Sequence, residues 1–192
     1  MPDDRLPART PASLVDAFEA AHGGALEQLA GTTPETGYRA IARLSCHLAA
    51  VRRAVCTAPR APRELVAGCC DQGRQVEWAL RLLQCCLAGD MFACGLSLDA
   101  LCADVGRYLD AYLAAERALA AWLETELPAG DRERLAAGYR HCLGRGPTRP
   151  HPRGPRTGPG YRLMFGFHAF WDRLLDTVDS RPGVGRGYAP AA

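Results

Sequence analysis

The sequence predicts an all-α protein, and three patterns support this fold class. Apolar residues recur at helical spacing along most of the 192 residues, proline and glycine separate these stretches, and strand-like alternation is missing. Long amphipathic helices joined by short connections favour an antiparallel up-down four-helix bundle. We therefore expect such a bundle with an extra N-terminal or short fifth helix, a Pro/Arg-rich arm and a C-terminal amphipathic helix.

Start and stop signals divide the bundle into five helices. Thr33 before Pro34, and Ser97 before Asp99, are typical helix starts, and Gly89 and Pro128 follow predicted helix ends. The first helix contains Gly23-Gly24 and is expected to bend there. The predicted helices cover residues 10–30, 33 to the turn near 59, 62–87, 97–127 and 131–143, the last with Asp131 as its N-cap.

The domain prediction separates a helical bundle at 1–143 from an arm at 144–160, a C-terminal helix at 161–180 and a flexible tail at 181–192. The arm reads GRGPTRPHPRGPRTGPG, and its prolines favour extended backbone over helix. It contains four arginines and no acid. A basic arm can touch phosphate, but without interleaved aromatic residues or a recognition helix we do not expect a nucleic-acid partner.

The C-terminal helix carries a continuous apolar face. Its members recur at helical spacing and are Leu163, Phe167, Phe170, Leu174 and Val178. Such a face must cover the bundle, a partner or a membrane surface. The other side mixes arginines with aspartates, which argues against a cationic membrane anchor.

Composition indicates a cytoplasmic protein without a strong electrostatic preference for polyanions. The formal net charge is +2, no apolar stretch is long enough for a membrane span, and the N-terminus lacks the basic and apolar regions of a secretory signal. The nine cysteines include no Cys-x-x-Cys, so we expect neither a disulfide framework nor a conventional zinc site. They are predicted to be small apolar fillers, with a thiol switch or a soft-metal site as the alternative.

An imperfect repeat marks the candidate site. Residues 47–52 read His-Leu-Ala-Ala-Val-Arg, and residues 112–117 read Tyr-Leu-Ala-Ala-Glu-Arg. Positions i and i+4 lie on one helix face, so a complete His-x-x-x-Glu would present an imidazole beside a carboxylate, as in metal sites of helical bundles. The first copy keeps the histidine and the second keeps the acid. Glu116 also lies on the apolar face of its helix, so it must be paired, protonated or at the edge of the core.

These motifs resemble the haemerythrin-like, or HHE cation-binding, proteins of bacteria. The matching pieces lie in residues 38–181 and comprise the two repeat copies, Glu77-Trp78-Ala79-Leu80, the Thr148-Arg149-Pro150-His151-Pro152 arm and residues 171–181. The resemblance implies an up-down helical bundle that, in intact members, holds a non-haem di-iron centre. Such centres bind or sense oxygen or related small oxidants.

Position by position, the resemblance implies that most ligands have been lost. His47 matches a ligand histidine, but Val51 stands at a bridging glutamate position. Tyr112 stands at the second histidine position, beside the matching acid Glu116. The candidate metal residues are therefore His47, Glu116, Tyr112 and Glu77, whereas a di-iron site needs about five to seven ligands from four helices.

The remaining residues do not restore the ligand set. Trp78 follows Glu77 where a histidine is expected, and we interpret it as a packing residue. His22 precedes the Gly23-Gly24 break, and the other histidines belong to the fifth helix, the arm and the last helix. His47 lies at the edge of an apolar stripe and is expected to be partly exposed with a backbone partner.

Two functional hypotheses follow. In the first, the chain is a non-enzymatic accessory or regulatory protein with no cofactor, an unidentified protein partner and a possible homo-oligomeric state. In the second, it is a cytoplasmic sensor of oxygen, nitric oxide or redox state that uses residual non-haem iron or zinc, or reactive cysteines. No hydrolase or phosphate-loop motif occurs, so we do not expect an enzyme.

Overall fold

The computed structural model describes residues 13–30, 33–89, 95–154 and 158–179. Within these residues it contains α-helices and no strand, which confirms the all-α prediction. The helices are α1 (Leu14–Ala30), α2 (Pro34–Ala50), α3 (Arg63–Leu87), α4 (Leu98–Glu126), α5 (Ala129–Leu143) and α6 (Gly158–Val178). A π-helical turn, Val51–Val55, continues α2. The predicted tail and the start of the first predicted helix lie outside the described residues.

The helix starts follow local capping rules. Thr33 and Thr36 form a capping box at the start of α2, and the Ser97 hydroxyl accepts a hydrogen bond from the backbone N–H of Ala100 at 3.1 Å. The predicted N-cap of the fifth helix was wrong, because α5 begins directly after Pro128 and Asp131 lies in its first turn. There its negative charge still favours the helix dipole.

α1 is one helix across Gly23-Gly24 and ends at Ala30 as predicted, because packing of its apolar face outweighs the weak helix propensity of glycine. One further boundary differs from the sequence expectation. α6 begins at Gly158, inside the segment predicted to be the arm. Pro159 is tolerated there because the N–H groups of the first turn have no partner within the helix.

The first four helices pack in a closed cycle. α1 contacts α2, α2 contacts α3, α3 contacts α4, and α4 returns to α1, while α5 packs across α1, α2 and the π-helical turn. Large aliphatic side chains from three of these helices are fully buried at the centre: Ile41, Leu44, Leu80, Leu83, Leu101, Leu109, Leu119 and Leu123. Burying each of them stabilises the fold by about 1.5–3 kcal/mol. No helix in the described ranges is long and apolar enough to cross a membrane.

The described part of the arm, residues 144–154, is non-helical and packs against the bundle. Its closest approach is at Gly146, where a Cβ atom would lie 3.1 Å from the Cα and 3.2 Å from the carbonyl oxygen of Cys46. These are backbone atoms of α2 and cannot rotate away. The Cys46 thiol donates to the carbonyl of Pro147 at 3.4 Å, which completes this contact between arm and helix.

Replacing Gly146 therefore tests whether the arm packs as described. We expect Gly146→Ala to lower the free energy of unfolding by about 1–3 kcal/mol, because the added methyl group must push two backbone segments apart. Gly144→Ala is the matched control, since nothing lies within 4 Å of a Cβ there and the backbone is right-handed helical. Chemical denaturation of both variants makes the comparison. Equal stability of the two would contradict the close packing at Gly146.

Candidate functional site

His47 lies at the centre of a polar cluster inside the bundle. Its side chain on α2 is 0% exposed, which corrects the expectation of a partly exposed histidine with a backbone partner. Its Nδ1 atom lies 2.8 Å from the hydroxyl of Tyr139 on α5, and its Nε2 atom lies 2.8 Å from Oε1 of Glu116 on α4. Both ring nitrogens are therefore engaged by other side chains.

Glu116 is the acceptor on which the cluster converges. The Tyr112 hydroxyl donates to its Oε1 at 2.8 Å, and Nε2 of His22 lies 3.4 Å from its Oε2. Burial raises the pKa of this carboxyl, but the His47 imidazole and the hydrogen bonds from His22, His47 and Tyr112 outweigh burial and lower the pKa to about 2. Glu116 is thus a carboxylate at neutral pH although only 1% of it is exposed.

Two phenols close the cluster. Burial and the nearby Glu116 carboxylate raise the pKa of both Tyr112 and Tyr139, so each keeps its proton and can donate a hydrogen bond. Gly73 on α3 makes room for Tyr112, because a Cβ there would lie 3.3 Å from the Tyr112 ring. Phe18 on α1 packs edge-on against Tyr139, with ring centroids 4.9 Å apart. The cluster is therefore enclosed by aromatic rings.

The fourth candidate ligand, Glu77, belongs to a separate ion pair. Arg52 in the π-helical turn donates to both Glu77 oxygens, at 3.2 and 3.0 Å, and both side chains are buried. Burial lowers the pKa of Arg52, but the Glu77 carboxylate outweighs it and the pKa is raised above its usual value. The Tyr161 ring covers the guanidinium at 5.6 Å. Glu77 is thus neutralised by a permanent cation.

The residues present do not fit a di-iron centre. His47, Glu116 and Tyr112 come together as the sequence predicts, but Val51 supplies no oxygen at the bridging position. Trp78, where a histidine is expected, is 40% exposed and packs against Arg153, with the guanidinium 5.5 Å from the ring centre. Within the ranges that the structure covers, no group of three or more His, Cys, Asp or Glu side chains is arranged to hold a metal ion.

Sequence reasoning missed three members of these clusters: His22, Tyr139 and Arg52. His22 was set aside because of the glycines that follow it, yet it lies four residues after the buried Phe18 and therefore on the inner face of α1. That spacing was the available signal. Tyr139 and Arg52 had no comparable signal, because their roles depend on how α5 and the π-helical turn pack against α2.

The arm is held by acids on the inner face of α6. The Thr148 hydroxyl donates to Asp176, the backbone N–H of Arg149 donates to Asp172 at 3.0 Å, and Nε2 of His151 lies 3.0 Å from Asp172. The Arg149 guanidinium also donates to Asp176 at 3.1 Å. The Thr-Arg-Pro-His-Pro motif thus positions α6, with Asp172 and Asp176 buried beneath it.

The eight described cysteines are free thiols. Burial raises the pKa of Cys46 to about 12, and hydrogen bonds to Cys69 and Cys70, together with burial, raise the pKa of Cys56 well above its usual value. Because the thiolate is the reactive form, these thiols are poor nucleophiles. Cys56, Cys69 and Cys70 are buried, as expected for small apolar fillers.

The lowered pKa of Glu116 predicts a specific pH dependence. Its folded pKa is about 2 against an ordinary value of 4.5, so its contribution to stability is present above pH 4.5 and disappears as the pH falls toward 2. We expect Glu116→Gln to be less stable than wild type by about 3 kcal/mol near neutral pH, and this difference to vanish in acid. Denaturation curves across this pH range measure it.

Glu126→Gln is the control for that experiment. Glu126 is exposed near the end of the same helix, so its replacement removes the same charge without touching the cluster. We expect it to leave the pH profile of stability unchanged. A pH-independent difference between wild type and Glu116→Gln would contradict the assignment of Glu116 as a buried carboxylate.

The Arg52–Glu77 pair predicts a non-additive mutant cycle. Arg52→Met leaves a buried carboxylate without its cation and should lower the free energy of unfolding by about 3–5 kcal/mol. Adding Glu77→Leu removes that charge and should recover most of the loss. Chemical denaturation of both single variants and the double variant measures the coupling. Additive losses would show that the two side chains do not stabilise each other.

Comparisons with protein-family models, with curated proteins and with solved structures find no match. The likeness to haemerythrin-like proteins therefore rests on the sequence motifs.

Proposed function

We propose that this chain is a non-enzymatic accessory or regulatory protein, built on a haemerythrin-like four-helix bundle in which hydrogen bonds have replaced metal coordination. The observation that carries the proposal is the 2.8 Å contact between His47 and Glu116. Each polar atom of these two side chains has a partner within the cluster, supplied by His22, Tyr112 or Tyr139.

Binding a metal at this position would require several buried hydrogen bonds to break. The His47 Nε2 atom would have to leave Glu116, and Glu116 would have to give up the hydrogen bond from Tyr112. Each buried polar group left without a partner costs about 1–3 kcal/mol. Two histidines and one glutamate can hold iron or zinc when they converge on one point. Among the residues that the structure describes, no three such side chains are arranged in that way, so His22, His47 and Glu116 would also have to move.

The packing order of the helices supports the bundle part of the proposal. α1 to α4 contact one another in a closed cycle, as consecutive helices of an up-down bundle do. Two of the candidate residues lie on helices of this cycle, His47 on α2 and Glu116 on α4, and His22 reaches them from α1. Free thiols are typical of a reducing compartment, which supports a cytoplasmic location.

The sensor hypothesis receives less support from the same geometry. A cysteine-based sensor needs an accessible thiolate, and four of the eight described cysteines are buried: Cys46, Cys56, Cys69 and Cys70. The pKa values of Cys46 and Cys56 are also raised. A protein without catalytic chemistry acts by binding. The outer face of α6 is the strongest candidate surface, because six large apolar side chains are exposed there: Leu163, Phe167, Phe170, Trp171, Leu174 and Val178.

Metal analysis tests this proposal directly. Protein purified without chelator, and then incubated with ferrous iron or zinc and desalted, should contain well below one metal ion per chain. Its melting temperature should not change when a chelator is added, because nothing that binds the folded state is being removed.

Variants separate specific binding from contamination. If either metal is near stoichiometric, and is lost in His47→Ala or Glu116→Gln but kept in His141→Ala, the metal-free proposal is wrong. His141 is the matched control because it is an exposed histidine on α5, outside the cluster.

A further inference from the structure

α6 is amphipathic, but it buries its polar face against the protein and exposes its apolar face. Its inner face buries Asp172 and Asp176 together with Tyr161 and Ala169, and its outer face exposes six large apolar side chains. Leu163 is 76% exposed, Phe170 68% and Val178 70%. The sequence left open whether this apolar face covers the bundle, and the structure shows that it does not.

The exposed face is large enough to be an interface. The six side chains Leu163, Phe167, Phe170, Trp171, Leu174 and Val178 expose on the order of 600 Å², against about 800 Å² per partner in a stable complex. They form a stripe about 22 Å long, because fifteen residues separate its ends at 1.5 Å each. Monomers rarely expose a continuous apolar patch of this size.

The spacing of the stripe is symmetric about its own centre. Its steps along the chain are four, three, one, three and four residues, and the midpoint lies between Phe170 and Trp171. Turning a second α6 end for end about that midpoint places Leu163 opposite Val178, Phe167 opposite Leu174 and Phe170 opposite Trp171. Each apolar residue then meets an apolar residue of the other copy. This is the self-complementarity that a two-fold interface requires.

The charge distribution permits the same pairing. At 100° per residue, the half of α6 centred on the stripe contains the six apolar residues and no charged residue among residues 160–178. Its other members are Gly160, Met164, Gly166, Leu175 and Thr177. Two copies therefore meet without like-charge repulsion. A partner that bound through its own charges would find no complementary group on this face.

We propose that the outer face of α6 binds a second copy of this chain, in an antiparallel helix pair with its two-fold axis between Phe170 and Trp171. The inference rests on the proposed function only in taking this face as the binding surface. The dimer forms whether or not the His47 cluster holds a metal, so the two proposals can fail separately.

Sedimentation and light scattering test the dimer. Across a concentration series up to about 100 μM, the wild-type chain should show twice the 20.7 kDa mass of one chain. Phe170→Glu places a charge near the axis in both copies and should weaken association about 100-fold. Leu96→Glu is the control, because Leu96 is half-exposed outside α6 and should have no effect on association. Circular dichroism should show equal helix content in all three proteins.

A charge pair tests the orientation of the helices. Leu163→Glu and Val178→Arg should each weaken the dimer about tenfold, and the double variant should restore association, because the antiparallel pairing brings the two introduced charges together. In a parallel pair, like charges would meet and the double variant would be the weakest.

A monomeric wild type over the whole concentration range would overturn the proposal, and so would a double variant weaker than both single variants. Flotation of that monomer with anionic phospholipid vesicles would assign the face to a membrane surface instead. Neither result would alter the metal analysis, so a failed dimer leaves the accessory-protein proposal standing on its own test.

Discussion

The structure depends on placing one carboxylate in the interior of the bundle. An ionised carboxylate without partners in a dry core would cost far more than the net stability of a domain. Glu116 is tolerated because a phenol and two imidazoles surround it, and these partners come from α1, α2 and from α4 itself. Tyr139 extends the network to α5 through His47. One buried charge therefore fixes the relative positions of four helices, since sliding any of them would break a buried hydrogen bond.

The extent to which this arrangement could be predicted differs between fold and site. Helical periodicity and capping residues were sufficient for the number and order of the helices, because both act within a few residues, but not for the starts of α5 and α6. The apolar position of Glu116 and the i to i+4 relation to Tyr112 were also visible in the sequence, and the structure brings these two residues together with His47. The partners on other helices were not visible. Tyr139 and Arg52 take their roles from tertiary packing. His22 was discounted because the weak helix propensity of the two following glycines was given more weight than its position on the inner face of α1.

Buried carboxylates outside the His47 cluster are also paired with donors from other segments of the chain. Glu77 is neutralised by Arg52, and Asp172 and Asp176 are satisfied by the arm through backbone, hydroxyl and guanidinium donors. Since each acid has donors from another segment, removing those donors would leave a charge in the interior with fewer hydrogen bonds. Hydrophobic burial supplies most of the stability, whereas these pairs determine which faces of the helices turn inward.

The orientation of α6 is determined by polar pairs and not by hydrophobic burial. Hydrophobic burial alone would turn Leu163, Phe167 and Phe170 toward the bundle. The arm instead presents cationic and hydroxyl donors at the place where α6 docks, and these donors can be satisfied only by the aspartate face. Turning the helix over would move both aspartates to the surface and bury apolar side chains against Thr148 and Arg149, which would then lack their acceptors. The polar contacts thus keep the apolar face of α6 exposed to solvent, although burying it would be favourable. A large exposed apolar face of this kind is typical of a binding surface.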